Sequence, residues 1–312
     1  MLRYVSKRVI QLVLVFFIVS VLIFTVVRMT PLDPIASISK GKAMSEETRL
    51  ALMREYGLDK SWAGQYVSWI GGLFRGDLGK SFQYRQAVTE LLAVRYRTSV
   101  QLVGMSALMI IFLAIPLGVV SAAHKNSLLD QTLTVSSLIF VSSPPFFTGI
   151  LLMLLFTMVW PVFPTFGTGA NFWDNMKYLF LPAVSLAAVR VALSMRITRS
   201  NMVEQLQAPY IQTATAKGLS RRTVVYKHAL KNAAIPIMTV TALDISGMLG
   251  GSVLVEKVFS LNGVGSLLAD SITKSDYPVT QSITLIMVLV FMLCNLFVDI
   301  MYGVIDPRVR LD

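Results

Sequence analysis

Long apolar stretches alternate with charged connections along this chain and determine its architecture. A hydrocarbon layer about 30 Å thick is crossed by about 20 apolar residues of helix. Six segments reach or approach that length: residues 9–27, 99–122, 132–159, 178–198, 235–255 and 279–303. The fourth is the weakest, because Arg190 interrupts it. The pattern predicts an all-α, polytopic membrane protein with about six transmembrane helices.

The first apolar segment, residues 9–27, follows three basic residues, as the core of a secretory signal peptide also does. A signal peptide has a shorter apolar core, however, and a small-residue cleavage site comes after it. Here Arg28 and Pro31 follow instead. We therefore interpret this segment as a retained membrane span.

Lysine and arginine residues in the short connections give the orientation, because they accumulate on the cytoplasmic side. With residues 1–8 cytoplasmic, the cytoplasmic segments hold thirteen basic residues and the short connections opposite hold three. The connection 28–97 is left out, since long loops translocate largely regardless of charge. The distribution predicts that the N- and C-termini are both cytoplasmic.

Two polar segments interrupt the apolar pattern. Residues 29–97 are expected outside the cell, with helical patches at 45–56 and 62–74 and Ser45 as a helix cap. A basic stretch, residues 199–234, is expected in the cytoplasm. The chain then divides into an N-terminal segment with the first span, an extracytoplasmic segment and a transmembrane core: residues 1–28, 29–97 and 98–312.

Composition agrees with a lipid environment. Hydrophobic residues make up 54% of the chain and charged residues 14%, whereas soluble domains have about 25% charged residues. The net charge of +11 resides in connections between spans, so we expect the lipid bilayer, and no nucleic acid, as its counterpart. One cysteine, Cys294, and two histidines leave no disulfide framework and too few ligands for a typical zinc site. No metal site is predicted.

The basic stretch contains a short helix with clear ends. Pro209 suits the first position of a helix and Gly218 the residue just past its end, which gives a helix at 209–217, about 13 Å long. Ser220 is expected to cap a second helix that ends at a break at Pro236.

Two interpretations of the short helix are open from its residues alone. The small side chains of Ala214 and Ala216 are expected to leave one face free of bulk, so that a partner can approach and receive force from the spans. Alternatively, this is an ordinary basic loop stabilised by anionic lipid headgroups.

A resemblance favours the first interpretation. The coupling motif of ABC-importer permeases has glutamate, two alanines, three further residues and glycine; here the positions are Gln212-Thr213-Ala214, three residues, and Gly218. Ala214 and Gly218 match, and Gln212 and Thr213 depart from the consensus. Further motifs, in the same order along the chain, resemble the dipeptide/oligopeptide/nickel permease family: Gly76-Asp77-Leu78-Gly79-Lys80-Ser81, Glu256…Phe259…Gly263-Val264-Gly265 and Asp299…Tyr302…Asp306-Pro307-Arg308.

The resemblance implies an ABC importer permease fold in the bacterial inner membrane. The chain would form half of the translocation pathway for peptides, with nickel or a metal chelate as the alternative substrate. The implied partners are a second homologous permease subunit, two ATP-binding subunits and an extracytoplasmic substrate-binding protein. ATP and Mg would be used by the partner subunits. No cofactor would be bound by this chain, and no catalytic residue is expected in it.

Two groups of candidate site residues follow. The ATPase-coupling candidates are Tyr210, Gln212, Thr213, Ala214, Ala216, Lys217, Gly218 and Leu219. The translocation-pathway candidates are Ser142, Pro144, Arg190, Asp244, Gly247 and Gly251. The Pro144-Pro145 pair predicts a kink, either static or shaping the pore. Gly247 and Gly251 are spaced as in helix-packing motifs, and packing alone would also explain them.

Arg190 and Asp244 are predicted to form a pair near the middle of the membrane. At 1.5 Å per residue, Arg190 lies roughly 18 Å from the outer face and Asp244 about 14 Å from the inner face. These depths agree within a layer about 30 Å thick. Alternatively, each charge faces a watery cavity on its own. Asp299 falls near the inner boundary, where Arg196 and Arg199 are its expected partners.

Other functional classes fit the residues less well. Gly79-Lys80-Ser81 matches the end of a phosphate-binding loop, but Phe74 stands where its first glycine should be, so we interpret the match as chance. An ion-coupled secondary transporter would be expected to use intramembrane ionisable residues or broken helices and to contain internal repeats. Arg190 and Asp244 keep this alternative open, and the coupling pattern argues against it. A membrane protease lacks support, because neither H-E-x-x-H nor G-x-S-x-G occurs.

Overall fold

The structure is a computed structural model that describes residues 2–29, 34–39, 44–167, 169 and 171–305. Its first helices are α1 (Leu2–Met29), α2 (Pro34–Ser39), α3 (Glu46–Glu55), α4 (Trp62–Leu73) and α5 (Val88–Met109). A π-helical segment, Ile110–Ala114, leads into α6 (Ile115–Ala123), and α7 (Leu128–Ser142) and α8 (Pro145–Met153) follow. A second π-helical segment, Leu154–Val159, extends α8.

The later helices are α9 (Phe172–Leu206), α10 (Pro209–Ala216) and α11 (Arg221–Thr223), then the π-helical segment Val224–Ala229. They continue with α12 (Leu230–Val258), α13 (Val264–Thr273) and α14 (Tyr277–Ile305). In the described residues the only β-type pairing is one isolated bridge between Lys80 and Ala87. The predicted all-α class is confirmed.

The predicted number of spans is confirmed as well. Among the described residues, five helices are long and apolar enough to cross a membrane: Val5–Met29, Val88–Ala123, Phe172–Leu206, Arg221–Val258 and Tyr277–Ile300. A sixth candidate is a bent pair, Leu128–Ser142 with Pro145–Val159. The side on which each terminus lies stays a prediction, and so do the segment limits 1–28, 29–97 and 98–312.

The third predicted span, 132–159, is not one continuous helix. Its two halves meet at an angle of 103° at Ser143 and Pro144. Two successive prolines remove two backbone N–H donors, and each disfavours the helical conformation of the residue before it. Ser143 and Pro144 are accordingly extended, with ψ of 125° and 142°, and Pro145 starts the next helix.

The predicted helix break at Pro236 is wrong. Helix α12 passes through Pro236 without interruption, as α9 passes through Pro182. In a membrane helix, neighbouring helices, polar side chains and local adjustments can satisfy the carbonyl group that proline leaves without its donor. A single proline was therefore a weaker signal than the pair at 144 and 145.

The chain forms two compact units, each of which has its own core. The first comprises Val100–Leu261 and the described part of Cys294–Asp312. Helix α9 lies at its centre and packs against α6, α7, α8 and α12. Its largest buried cluster includes Leu102, Ile110, Leu179, Leu186, Met195, Met248 and Phe259.

The second unit comprises Leu2–Ser99 and Asn262–Leu293. Both helical patches predicted in its polar part are confirmed as α3 and α4. The hydroxyl groups of Ser45 and Ser61 accept N–H bonds from Thr48 and Gly64 and thereby cap these helices. A small core forms here from Ile35, Ile38, Phe82 and Tyr277.

Candidate coupling and translocation sites

Helix α10 begins and ends as its sequence predicts. Ala208 is extended, with ψ of 148°, and Pro209 takes the first helical position. Gly218 has φ of +79°, a left-handed conformation that glycine adopts at no steric cost. The helix has 8 residues, one fewer than predicted, because Lys217 already lies at its C-cap.

The two faces of α10 have different surroundings. Ile211 and Ala214 are 5% and 8% exposed and belong to a cluster with Val224, Val225 and Ala229. The other coupling candidates are exposed: Tyr210, Gln212, Thr213, Ala216, Lys217, Gly218 and Leu219. Side chains three residues apart share a helix face, so Ile211 and Ala214 together anchor α10 to its own chain.

The small face predicted for Ala214 and Ala216 is therefore wrong. Residues two apart in an α-helix point in nearly opposite directions. Ala214 contacts the core of the first unit, and Ala216 lies at the surface. The exposed side of α10 carries Gln212, Thr213 and Ala216, and Tyr210 and Leu219 are exposed near its two ends.

The segment after α10 is attached to the turn that follows α6. The Ser220 hydroxyl accepts the N–H of Thr223 and caps α11, as predicted. The guanidinium group of Arg221 donates to the carbonyl oxygen of Ala123, the last residue of α6. The segment after α10 is thus held to the end of α6 through α11.

A buried ion pair lies close to the same end of α6. Asp130 is 2% exposed, and its carboxylate accepts two bonds from Arg199, with Nε–Oδ1 at 2.6 Å and Nη2–Oδ2 at 2.7 Å. The Ser121 hydroxyl and the backbone N–H of Asn126 donate to the same carboxylate at 2.5 and 2.9 Å. A bidentate pair with all these donors satisfies a buried carboxylate well. The sequence analysis missed this pair and expected Arg196 and Arg199 near Asp299; the guanidinium group of Arg199 binds Asp130 instead.

The predicted pair of Arg190 and Asp244 is confirmed. Arg190 Nη1 lies 2.9 Å from Asp244 Oδ1, and the Ser194 hydroxyl donates to Oδ2 at 2.7 Å. The carboxylate is buried, whereas 36% of the Arg190 side chain is exposed. The pair connects the middle of α9 with α12.

The two predicted glycines on α12, Gly247 and Gly251, allow this helix to lie close to side chains of α9. A Cβ atom at Gly247 would lie 3.2 Å from Arg190 Nη2, and one at Gly251 would lie 3.3 Å from Leu186 Cδ1. Both distances are shorter than ordinary contact, so larger side chains would displace α9 or the arginine. The structure therefore brings Arg190, Asp244 and Gly247 together.

Ser142 and Pro144 lie elsewhere in the first unit, at the break between α7 and α8, and both are exposed. The break is fixed on its α8 side, because the Ser185 hydroxyl donates to the carbonyl oxygen of Pro145 at 2.6 Å. Gly149 allows this approach, since a Cβ atom there would lie 2.8 Å from Ser185 Oγ. The bend is thus supported by α9.

The Gly76–Ser81 motif holds parts of the second unit together. Lys80 Nζ lies 2.9 Å from Glu55 Oε1, and this hydrogen bond raises the pKa of the ammonium group above its usual value. The Ser81 hydroxyl donates to the buried carboxylate of Asp276 at 2.5 Å, and Ser282 donates to the Leu78 carbonyl at 3.0 Å. Lys80 and Ser81 thus bind carboxylates of their own chain.

The membrane-length helices, with a short capped helix exposed between two of them, define a polytopic membrane protein. Residues 114–311 match the family described as binding-protein-dependent transport system inner membrane component, and residues 1–103 match its N-terminal family. The chain belongs to this family and is a permease subunit of an ABC importer.

Curated relatives cover the chain almost completely. The dipeptide transport system permease protein of Escherichia coli K12 is 33% identical over an alignment of 336 positions that covers 99% of each chain. The oligopeptide transport system permease protein of Bacillus subtilis is 34% identical, over 99% of this chain and 100% of its own. The glutathione transport system permease protein of E. coli K12 is 37% identical, over 99% of each chain.

Proposed function

We propose that this chain forms half of a peptide translocation pathway in the bacterial inner membrane. Its partners would be a second homologous permease, two ATP-binding subunits and an extracytoplasmic substrate-binding protein. The names of the relatives support a peptide substrate, since dipeptides, oligopeptides and glutathione are all short peptides or peptide-like molecules. Hydrolysis of ATP would take place on the ATP-binding subunits.

The observation that carries the proposal is the arrangement of α10. One face is anchored in the first unit by Ile211 and Ala214, while the opposite side exposes Gln212, Thr213 and Lys217. A short helix anchored on one side can transmit displacement without bending. We assign the exposed side to contact with an ATP-binding subunit, in the cytoplasm, as the charge distribution of the connections predicts.

Force from α10 would reach the spans by two connections. Arg221 binds the end of α6, and Arg199, only ten residues before α10 begins, binds Asp130 at the start of α7. Both connections are made by arginine to oxygen atoms of neighbouring helices. The ends of α6, α7 and α9 would therefore move together with α10.

The pathway itself is assigned to the side of α9 and α12 on which Arg190 is accessible. Its side chain is partly exposed, although its carboxylate partner is buried. An arginine held in this way keeps N–H donors for carbonyl groups of a passing peptide. Ser142, Pro144 and Gly251 stay candidates for the same pathway.

The test uses the complete transporter in liposomes, with the binding protein and its peptide. Thr213→Arg places a long cation on the exposed side of α10 and should reduce both co-purification of the ATP-binding subunits and peptide-stimulated ATP hydrolysis. Thr273→Arg, a matched change at an exposed threonine of α13 in the second unit, is the control and should have a smaller effect on both. Equal stimulation in wild type and Thr213→Arg would contradict the assignment. Uptake of nickel but not of peptide would show that the substrate is nickel and not a peptide.

A further inference from the structure

A polar cavity of about 360 Å³ lies in the second unit, beside the end of the first span. Its described lining includes four basic side chains, Arg28, Arg54, Lys60 and Lys80, and two acidic ones, Glu55 and Asp77. Glu55 is paired with Lys80 at 2.9 Å, and Asp77 accepts the N–H of Gly79 at 2.8 Å. The cavity therefore has an excess of positive charge.

Arg28 is positioned in this cavity by neutral groups. Its Nε donates to Gln65 Oε1 at 3.0 Å and its Nη1 to Gln281 Oε1 at 2.9 Å. Its guanidinium carbon lies 3.5 Å from the centre of the Phe24 ring. Amide and aromatic contacts orient a guanidinium group without neutralising it, so its charge is available to a ligand.

Trp69 also lines the cavity. Its indole Nε1 is buried and has no hydrogen-bond acceptor among the described residues. A tryptophan that is buried usually finds an acceptor for this N–H, and a buried donor without one requires an explanation. An oxygen-bearing anion in the cavity would supply the acceptor.

An apolar groove of similar volume, about 360 Å³, adjoins the polar cavity. Leu22, Ile23, Val26 and Val27 of α1 line it together with Thr280 and Thr284 of α14. Tyr277 lines both the groove and the polar cavity, and the neighbouring residues Val27 and Arg28 line one space each. Apolar and basic surfaces thus adjoin where a membrane span ends at Arg28.

We propose that this combined site binds one anionic phospholipid. The phosphate would accept hydrogen bonds from Arg28 and Trp69, and one acyl chain would lie in the groove along α1. The excess of basic side chains favours a headgroup with net negative charge, such as phosphatidylglycerol, over a zwitterionic one. The lipid would join α1 to the segment α13–α14, and this role does not depend on which solute the transporter carries.

The site is tested by native mass spectrometry of the purified complex in neutral detergent. Short-chain phosphatidylglycerol, phosphatidylcholine and inorganic phosphate are each titrated against wild type, Arg28→Gln and Trp69→Phe. Wild type should retain phosphatidylglycerol preferentially. Arg28→Gln should weaken it roughly fivefold, as for the loss of one basic residue next to an anionic surface. Lys177→Gln removes an exposed charge outside the second unit and should bind as wild type does.

Two further results keep the test decisive. Val26→Trp fills the groove without changing charge and should weaken phosphatidylglycerol while the Arg28 contacts are preserved. Trp69→Phe keeps an aromatic side chain but removes the indole N–H. It should weaken phosphatidylglycerol binding, and it tests the site even if Arg28→Gln fails to fold. Equal binding of the two lipids to wild type, or unchanged phosphatidylglycerol binding in Trp69→Phe and Val26→Trp, overturns the proposal. Saturation by inorganic phosphate alone would also overturn it.

Discussion

Arg199 donates to both carboxylate oxygens of Asp130, with distances of 2.6 and 2.7 Å. This pair joins the first turn of α7 to α9, and the Ser121 hydroxyl adds α6 to the same carboxylate. Three helix ends are therefore fixed around one buried group. Such a cluster favours a rigid-body displacement of these ends over independent bending.

Replacing Arg199 by glutamine is expected to destabilise the first unit. The substitution leaves the carboxylate of Asp130 without its cation, and hydrogen bonds to charged groups contribute about 1.5–3 kcal/mol. The apparent midpoint of thermal unfolding in detergent should fall. Arg196→Gln, an exposed arginine on the same helix, is the matched control and should change the stability by no more than about 0.5 kcal/mol.

A lysine at position 199 gives the complementary measurement. It keeps the charge but not the planar pair of donors that meets both oxygens of Asp130. The unfolding midpoint of Arg199→Lys should lie between those of wild type and Arg199→Gln. Its peptide-stimulated ATP hydrolysis should nevertheless fall to nearly the level of Arg199→Gln. If Arg199→Gln unfolds as wild type does, Asp130 is solvated and the cluster does not brace these helices.

The sequence predicted the ion pair of Arg190 and Asp244 but missed that of Arg199 and Asp130, for a physical reason. Arg190 and Asp244 interrupt apolar runs, so their depths can be compared directly. Asp130 stands just before the predicted span 132–159, and Arg199 just after the span 178–198. Neither charge interrupts an apolar run, so hydropathy gave no reason to pair them, and Arg199 was expected near Asp299 instead. The helices extend beyond the apolar runs, and their polar ends pack against each other.

The remaining differences have similar causes. Hydropathy alone made 132–159 one span, since apolar character continues through Ser143 and Pro144 while the backbone does not stay helical. The cap residues of α10 could be predicted, because proline and glycine act locally. The buried position of Ala214 depends on packing against Val224 and Val225, which no local pattern contains.

The conformation of Gly218 gives a prediction about coupling. An L-residue with φ near +79° costs about 1–2 kcal/mol, and asparagine tolerates this region better than valine. Gly218→Val should distort the end of α10 and reduce peptide-stimulated ATP hydrolysis, while Gly218→Asn should retain most of it. A Cβ atom there would meet no described atom within 4 Å, so a clash would not explain the difference. Equal activity of the two variants would contradict this account.

The orientation of the chain is testable by labelling intact cells. In a Cys294→Ser background, Ser61→Cys should react with an impermeant thiol reagent added outside, and Ser220→Cys should react only after the cells are permeabilised. The two positions are matched, since each serine is exposed and caps a helix of the described structure. Reversed labelling would mean that the predicted orientation is wrong and that α10 lies outside the cell, away from ATP.

The pair of Arg190 and Asp244 gives the last prediction. A charge at the centre of a membrane span costs at least about 2.5–3.5 kcal/mol, so either residue without the other should lower expression or transport. Arg190→Asp and Asp244→Arg each place two like charges together and should be the most severe variants. The double variant restores opposite charges across the same two helices and should recover part of the loss.

Ser194 is the internal control for that exchange. Its hydroxyl donates to Asp244 Oδ2 at 2.7 Å, and Ser194→Ala removes this bond while the ion pair stays. The expected loss is smaller, because the carboxylate keeps its cation and the alanine fits the space of the serine. Uptake of radiolabelled peptide and the amount of folded protein are measured for every variant, so that stability and transport are separated. A double variant no better than either single charge reversal would mean that the two residues act independently, because direct pairing requires their effects to be coupled.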